Sequence, residues 1–207
     1  LDRTWVSVIF TAVCCVGLVN AVNLADGKNG LALGLMIGWV VLLGISSKGP
    51  FRLAGFLLLA GLLPLFLSNM RGKLFLGDGG TYGFATAIAL ISIANYNLSG
   101  PAIGHGISAE TLVLIFAIPA VDFLRLAAVR TLEGRSPMSP GRDHFHHHLQ
   151  DSLGWPRGLL TYWAIDLLPS FLAVLVGFPI LAMLALKITL YVLALMHFFG
   201  GRTPKKR

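Results

Sequence analysis

Charged side chains are scarce in this sequence. Asp, Glu, Lys and Arg make up 12% of its 207 residues, about half of their share in soluble globular domains. Apolar residues make up 56%, and they form long runs with the charges clustered between them. An ordinary soluble domain is therefore excluded. The predicted fold class is all-α, a polytopic bundle of membrane-spanning helices.

Three other signals are missing. The two cysteines, Cys14 and Cys15, are adjacent within an apolar run, which argues against a disulfide framework or a cysteine metal site. The formal charge of +7 is not matched by a basic patch interleaved with aromatic residues, so no nucleic-acid partner is predicted. The start, "LDRTWVS", lacks an initiator Met, a basic region and a cleavage site, which is unlike a signal peptide and indicates a fragment.

Seven apolar segments predict about seven transmembrane helices. The predicted spans are residues 4–22, 31–46, 51–67, 80–96, 110–129, 158–176 and 179–199. The second and third segments are separated only by "SKGP", and the last two only by "GFP". Both connections predict tight turns between neighbouring helices.

The three most polar loops fall on one side of these spans, because two spans separate each loop from the next. They are "NLADGKNG", "SNMRGKLFLGDGG" and residues 130–157, and together with the C-terminal tail they contain most of the lysines and arginines. The loop 97–109 on the opposite side contains neither residue. The positive-inside rule therefore predicts that the three polar loops and the C-terminus are cytoplasmic.

Two of these loops carry acids among glycines. In the first, Asn23, Asp26, Lys28 and Asn29 are suited to a polar head group, although such residues also form ordinary turns. In the second, Asp78 stands between glycines at the mouth of an apolar segment. A carboxylate there can hold Mg²⁺, which prefers oxygen ligands, or it can cap the following helix.

The third loop, "GRSPMSPGRDHFHHHLQDSLGWP", predicts a short amphipathic helix. Ser139 and Pro140 are typical of a helix N-cap and first turn, and Gly154 and Pro156 are typical of a helix end. Three apolar residues share one stripe of this helix, which we expect on the membrane face of the protein. They are Phe145, Leu149 and Leu153.

Histidines are concentrated in this helix. On a helical wheel His144, His147 and His148 share one arc with Asp151, whereas His146 points away from it. Zinc is not favoured, because consecutive imidazoles on one helix diverge and no thiolate is near. Imidazole and guanidinium groups are better interpreted as donors to phosphate oxygens, and a solvated polar loop is the alternative. Together the three loops suggest a diphosphate substrate and a lipid reactant.

The three loops resemble the signatures of one known family. "NLADGKNGLA" resembles N-x-x-D-G-x-[DN]-G-L-A, and "FLGDGGT" resembles G-D-x-G-[ST]. "PAVDFLRLAAVRTLEGRSPMSPGRDHFHHHL" resembles a P-x-x-D-x-x-R helix followed by G-R-S-P-x-S-P and H-x-H-H. In this order the motifs resemble those of the polyprenyl-phosphate N-acetylhexosamine-1-phosphate transferases, glycosyltransferase family 4. The histidine loop is more similar to the GlcNAc-1-phosphate branch than to the phospho-muramoyl-pentapeptide branch.

The resemblance implies a multi-pass enzyme of the bacterial inner membrane. Its implied reaction moves a sugar-1-phosphate, by default GlcNAc-1-phosphate, from a UDP-N-acetylhexosamine to undecaprenyl phosphate and releases UMP. The product would serve cell-envelope polysaccharide, lipopolysaccharide or peptidoglycan precursor synthesis. The implied cofactor is Mg²⁺, with Mn²⁺ as a substitute, and a homodimer is left open.

By the same resemblance, Asp26 and Asp78 are implied to be catalytic, with Asp78 holding the metal. The residues implied to bind substrate are Asn23, Asp26, Asn29, Lys73, Arg135, Arg142, His144, His146 and His147. One of them departs from the family pattern, because Asn29 stands where many members have a second Asp. The substitution keeps a hydrogen-bonding group and removes one negative charge.

The family's paired-aspartate motif is absent and is expected upstream of residue 1. We therefore interpret residues 1–207 as a single membrane domain, the C-terminal part of a larger transferase, with 130–157 as its cytoplasmic histidine loop. Two other functions are left open. One is a catalytically incomplete membrane remnant or subunit. The other is a metal or proton transporter that uses Asp166, Lys187 and the histidines.

Two charges lie inside the last two apolar segments, Asp166 and Lys187. The turn at "GFP" places them at depths that differ by only about 4–5 Å, at a rise of about 1.5 Å per residue. A lone charge at mid-bilayer costs at least ~2.5–3.5 kcal/mol. We predict that the two side chains pair across the hairpin and stabilise it, with no catalytic role.

Overall fold

The computed structural model describes residues 4–97, 106–137, 139 and 141–199. Within these ranges the chain forms helices and no strand, which confirms the predicted all-α fold class. The helices are α1 Thr4–Ala25, α2 Leu31–Ser46, α3 Gly49–Met70, α4 Gly77–Asn97, α5 Ala109–Leu132, α6 Phe145–Leu153, α7 Arg157–Phe171 and α8 Ile180–Phe199. A π-helical segment, Leu172–Val176, continues α7.

All seven predicted apolar segments form helices, and their ends lie within three residues of the predicted ones. Five helices are long and apolar enough to cross a membrane, namely α1, α3, α5, α7 with its π-helical segment, and α8. The apolar α2 has only 16 residues, and α4 is not among the five. A polytopic membrane protein is therefore confirmed, while membrane crossing by α2 and α4 stays a prediction.

Both predicted tight turns are present. Only residues 47 and 48 separate α2 from α3, and these two helices pack along each other. Gly177 adopts a φ of 82°, a left-handed conformation that glycine accepts easily, and it ends the π-helical segment before α8. The predicted loop 97–109 and the basic tail fall largely outside the described residues.

Helix α2 lies at the centre of the bundle. Apolar residues occupy every side of this helix, so it can be buried all round, and 12 of its 16 residues are buried. Trp39 packs edge-on against Phe116 of α5, with ring centroids 5.1 Å apart. A Cβ added at Gly34 or at Gly38 would collide with side chains of α7, so these glycines allow α2 and α7 to pack closely.

The predicted ion pair between α7 and α8 is confirmed. Lys187 Nζ lies 3.0 Å from Asp166 Oδ1, and both side chains are fully buried. Lys187 Nζ also donates to Ser170 Oγ at 3.0 Å and to the Leu114 carbonyl at 2.6 Å. Trp39 Nε1 donates to Asp166 Oδ2 at 3.1 Å. The pair therefore sits in a polar cluster to which α2, α5, α7 and α8 all contribute.

The helix of the histidine loop starts later than predicted. Helix α6 begins at Phe145, and its N-cap residue is His144, so the predicted N-cap at Ser139 is wrong. Pro140 lies outside the described residues. The predicted end is confirmed, because Gly154 follows the last helical residue with a φ of 72°.

The apolar stripe of α6 faces the protein. Phe145 and Leu149 are fully buried, and Leu153 packs against the same core. The Phe145 ring contacts Tyr162 of α7 and Tyr191 of α8, with centroids 5.3 and 4.9 Å away. The predicted membrane-facing orientation is wrong, because the apolar surface that covers this stripe belongs to α7 and α8.

Candidate functional site

The end of α1 and the start of α4 are joined through Asn23. Thr81 Oγ1 donates to Asn23 Oδ1 at 2.6 Å, and Asn23 Nδ2 donates to the Tyr82 hydroxyl at 3.3 Å. Thr81 is fully buried, so its bond to Asn23 is partly buried, whereas the bond to Tyr82 is exposed. The side chain of Asn23 thus ties the first polar loop to the first turn of α4, which carries Asp78.

Two carboxylates at this junction interact electrostatically. Asp26 follows α1 directly, and Asp78 is an exposed residue of the first turn of α4. Burial, together with the nearby negative charge of Asp78, raises the pKa of Asp26 to about 6. Neither carboxylate forms an ion pair or a side-chain hydrogen bond with another residue of the described part of the chain. Two acids that repel each other and lack a cationic partner are suited to a divalent cation.

The donor set fits a cation shared with a ligand. Mg²⁺ is usually bound by one or two carboxylates, with waters and substrate phosphates as its other ligands. Asp26 and Asp78 supply two carboxylates, and across residues 4–97, 106–137, 139 and 141–199 no group of three or more His, Cys, Asp or Glu could hold a metal. The residues present therefore fit Mg²⁺ bound together with phosphate oxygens.

Three imidazole rings form a cluster at the start of α6. The His146 ring lies 4.1 Å from that of His147 and stacks on that of His144 at 5.6 Å between centroids. The His148 ring is not part of this cluster, and its Nε2 lies 3.2 Å from the carbonyl of Asp143. The predicted arc is therefore wrong, because His144 precedes the helix in extended backbone and does not follow the helical wheel.

The cluster reaches the first polar loop through a glycine. A Cβ added at Gly27 would lie only 2.6 Å from His146 Nε2, so a larger residue would displace the ring. His146 is 2% exposed, and its Nε2 has no hydrogen-bond partner among the described residues. Burial and the neighbouring His147 lower the pKa of His146 to about 3, so the ring is neutral at physiological pH.

A second contact joins the first polar loop to the segment after α6 at the same end of the bundle. Trp155 Nε1, which follows α6, donates to the carbonyl of Asn29 at 3.2 Å. The amide of Gly30 donates to Asn69 Oδ1 at 2.6 Å, which joins the first loop to the end of α3. The carbonyl of Asn29 is thus fixed in place. Lys73 is exposed in the loop between α3 and α4.

Arg135 and Arg142 lie at the rim of this end. Arg135 pairs with Glu133, and its Nη2 lies 3.8 Å from Asp143 Oδ2. Arg142 is 74% exposed and lies 3.9 Å from Asp151. Because Asp151 belongs to α6, this contact holds Arg142 beside the histidine helix. Burial, then the charges of His144 and Arg142, lower the pKa of His147. Arg135 is held instead beside the acids of its own loop.

A family model for glycosyl transferase family 4 matches residues 2–96, which include the junction of α1 with α4 and both carboxylates. The chain belongs to this family. Its relatives include the phospho-N-acetylmuramoyl-pentapeptide-transferase of Heliobacterium modesticaldum, which is 35% identical over 80% of this chain and 50% of its own length. The undecaprenyl-phosphate alpha-N-acetylglucosaminyl 1-phosphate transferase of Yersinia pestis is 33% identical over 62% of this chain and 37% of its own length.

A third relative is the decaprenyl-phosphate N-acetylglucosaminephosphotransferase of Mycolicibacterium smegmatis. It is 30% identical over 69% of this chain and 40% of its own length. The chain spans about half the length, or less, of these curated relatives. No solved structure gives a significant match.

The structure of this family 4 chain adds residues that sequence reasoning did not place in the site. Arg130 is 1% exposed, and its Nη2 donates to Asp143 Oδ1 at 2.7 Å while its Nη1 donates to the carbonyl of Pro137 at 2.9 Å. Asp122 and Arg125 also contact the histidine segment. Their P-x-x-D-x-x-R spacing puts both side chains on one face of α5, and this spacing was the available signal. Arg130 carried no comparable signal.

Proposed function

We propose that this chain provides the metal- and nucleotide-sugar-binding part of a membrane-embedded sugar-1-phosphate transferase. The donor is a UDP-N-acetylhexosamine, by default UDP-GlcNAc, and the acceptor is undecaprenyl phosphate. The products are UMP and a lipid-linked sugar for cell-envelope polymers. The relatives named above, which act on decaprenyl phosphate, undecaprenyl phosphate or a pentapeptide substrate, support this reaction class.

One observation carries the proposal. Two carboxylates without a cationic partner, Asp26 and Asp78, lie at the same end of an apolar bundle as a histidine cluster that packs over Gly27. Divalent metal and phosphate donors are the two requirements for stabilising a diphosphate during phosphoryl transfer. A bacterial inner-membrane protein with this end in the cytoplasm would meet a UDP-sugar there.

The chain's own residues then have distinct tasks. Asp26 and Asp78 would hold the Mg²⁺, which supplies charge neutralisation on the diphosphate when it is bound. His146 Nε2 and His147 Nδ1 are buried and have no hydrogen-bond partner in the described part of the chain, so a bound phosphate oxygen would satisfy them. Asn23 fixes the distance between the first loop and Asp78, and no residue of the chain needs to form a covalent intermediate.

A cavity near this site suits a lipid acceptor. It is an open groove of about 310 Å³ between α1 and α4, and its apolar lining includes Val19 and the exposed Val16 and Leu90. Tyr82 lines the same cavity and accepts a hydrogen bond from Asn23. An isoprenoid chain in this cavity would therefore have its phosphate end beside the two carboxylates.

The test is binding and turnover by purified protein in detergent. We expect calorimetry to show Mg²⁺-dependent binding of UDP-GlcNAc, and Asp78→Asn to abolish that dependence and any release of UMP. Glu110→Gln is the matched control, because it removes an exposed carboxylate at the opposite end of α5. Unchanged Mg²⁺-dependent binding by Asp78→Asn would refute the metal assignment, and absence of binding by the wild-type chain would refute the proposed function for this chain.

A further inference from the structure

The carboxylate of Asp122 in α5 is buried and fully occupied. Its Oδ1 accepts hydrogen bonds from Arg125 Nη2 and from the Tyr191 hydroxyl, both at 2.8 Å. Its Oδ2 accepts the backbone N–H of Phe145 at 3.2 Å and faces His144 Nδ1 at 3.5 Å. With 6% of Asp122 exposed, this one side chain joins α5, α8 and the first residue of α6.

The bond from Phe145 replaces a missing helix cap. The first N–H groups of a helix lack partners within it, and the N-cap side chain usually accepts one of them. His144 makes no such bond. Asp122 supplies the acceptor from another helix, and its negative charge is favourable at a helix N-terminus. The position of the first turn of α6, which contains His146 and His147, therefore depends on α5.

The ring of His144 is held from both sides. Its Nδ1 faces Asp122 at 3.5 Å, and its Nε2 lies 3.5 Å from Arg130 Nη2. A carboxylate that faces one nitrogen of a histidine fixes the orientation of the ring. It also fixes which of the two nitrogens carries the proton. The fixed ring stacks on that of His146, with 17° between the planes. His144 thus contacts protein groups at both nitrogens, whereas His146 Nε2 has no partner among the described residues.

We propose that Asp122 and His144 are positioning residues for an anionic diphosphate that binds to His146 and His147. Asp122 anchors His144 and the N-terminus of α6, and His144 in turn sets the place of the His146 ring over Gly27. The inference rests on the proposed function, because the diphosphate is that of the UDP-sugar. It assigns His144 a different role from the substrate contact that the sequence predicts.

The test uses Asp122→Asn in the full 207-residue chain in detergent. We expect its imidazole ¹⁵N signals for His144, assigned with His144→Gln, to shift from those of the wild type. We also expect UDP-GlcNAc affinity to fall about tenfold, by analogy with the lower end of the loss when a partner that orients a metal-bound histidine is removed. Asp166→Asn is the matched control, since it removes another buried, hydrogen-bonded carboxylate, whose side-chain partners are Trp39 of α2 and Lys187 of α8. This control should change stability and leave the His144 signals in place.

The positioning role and the proposed function can be refuted separately. Unchanged His144 signals in folded Asp122→Asn overturn the positioning role, whatever the affinity. If that variant does not fold, Asp122→Glu keeps the carboxylate but moves it by one methylene relative to Phe145 and His144, and unchanged His144 signals there overturn the role equally. Failure of the wild-type chain to bind UDP-GlcNAc refutes the proposed function, while the ring signals still decide whether Asp122 orients His144.

Discussion

Replacing Lys187 by Met should destabilise the protein strongly. The ammonium group makes three contacts of 2.6 to 3.0 Å, to the Leu114 carbonyl, Asp166 and Ser170. In the Lys187→Met variant Asp166 is left fully buried, with the indole N–H of Trp39 as the one remaining donor to its side chain within the described residues. Removing one partner of a buried ion pair costs about 3–5 kcal/mol, because the other charge is left uncompensated.

The reverse substitution should cost less. Asp166→Asn leaves Lys187 with two acceptors, the Leu114 carbonyl and Ser170 Oγ. In the double variant no charge is left alone, so its destabilisation should be smaller than the sum of the single effects by about 2 kcal/mol, a normal coupling for residues in contact. The free energy of unfolding is measured by denaturant titration in mixed micelles, followed by circular dichroism. Leu193→Met, at an exposed position of α8, is the control.

Simple additivity would refute this reasoning, because it would mean that the two charges do not interact in the folded protein. A Lys187→Met variant as stable as the wild type would refute it as well. That result would show that Asp166 loses its charge at no cost, or that the cluster admits water. Trp39 fluorescence gives a local check, since its indole N–H donates to Asp166.

Three further predictions concern the polar end of the bundle. Gly27→Ala should weaken UDP-GlcNAc binding by displacing the His146 ring, whereas Gly61→Ala, where an added Cβ meets open space, should bind normally. Folding lowers the pKa of His146 from 6.5 to about 3. As the pH drops below about 6.5, His146 therefore binds a proton in the unfolded state but not in the folded state, so the free energy of unfolding falls. His146→Gln should flatten this pH dependence, and an unchanged slope would contradict the assignment. Zinc-selective chelators should leave nucleotide-sugar binding unchanged, and stoichiometric zinc lost in His147→Ala would argue the opposite.

The fold was largely predictable because its main signals are local. Apolar segment lengths place helix ends within three residues, and the depths of Asp166 and Lys187 follow from counting residues on either side of one turn. The start of α6 was not predictable in this way. Ser139 has the local preference for a helix N-cap, but the acceptor that fixes the helix start is Asp122 on α5. A cap supplied by another helix leaves no pattern near the helix that it caps.

In the candidate site, too, some features were predictable from local sequence and others were not. The motifs predict Asp26, Asp78 and the histidines as site residues, since each stands among residues with a clear local signature. A helical wheel separates the apolar stripe of α6 from its polar face, but it does not say whether lipid or protein covers the stripe. Here Tyr162 and Tyr191 cover Phe145. That contact depends on helices that follow α6 in the chain.

The polar cluster around Lys187 has a consequence for how the protein enters its membrane. Each of the last two helices carries one charge deep in its apolar segment, and each alone would meet the insertion cost of ~2.5–3.5 kcal/mol for a central charge. If α7 and α8 leave the insertion machinery together, the charges neutralise each other before either faces lipid. The remaining partners, Trp39 and the Leu114 carbonyl, lie on helices made earlier. Biogenesis is therefore expected to keep α2 and α5 assembled until this hairpin arrives.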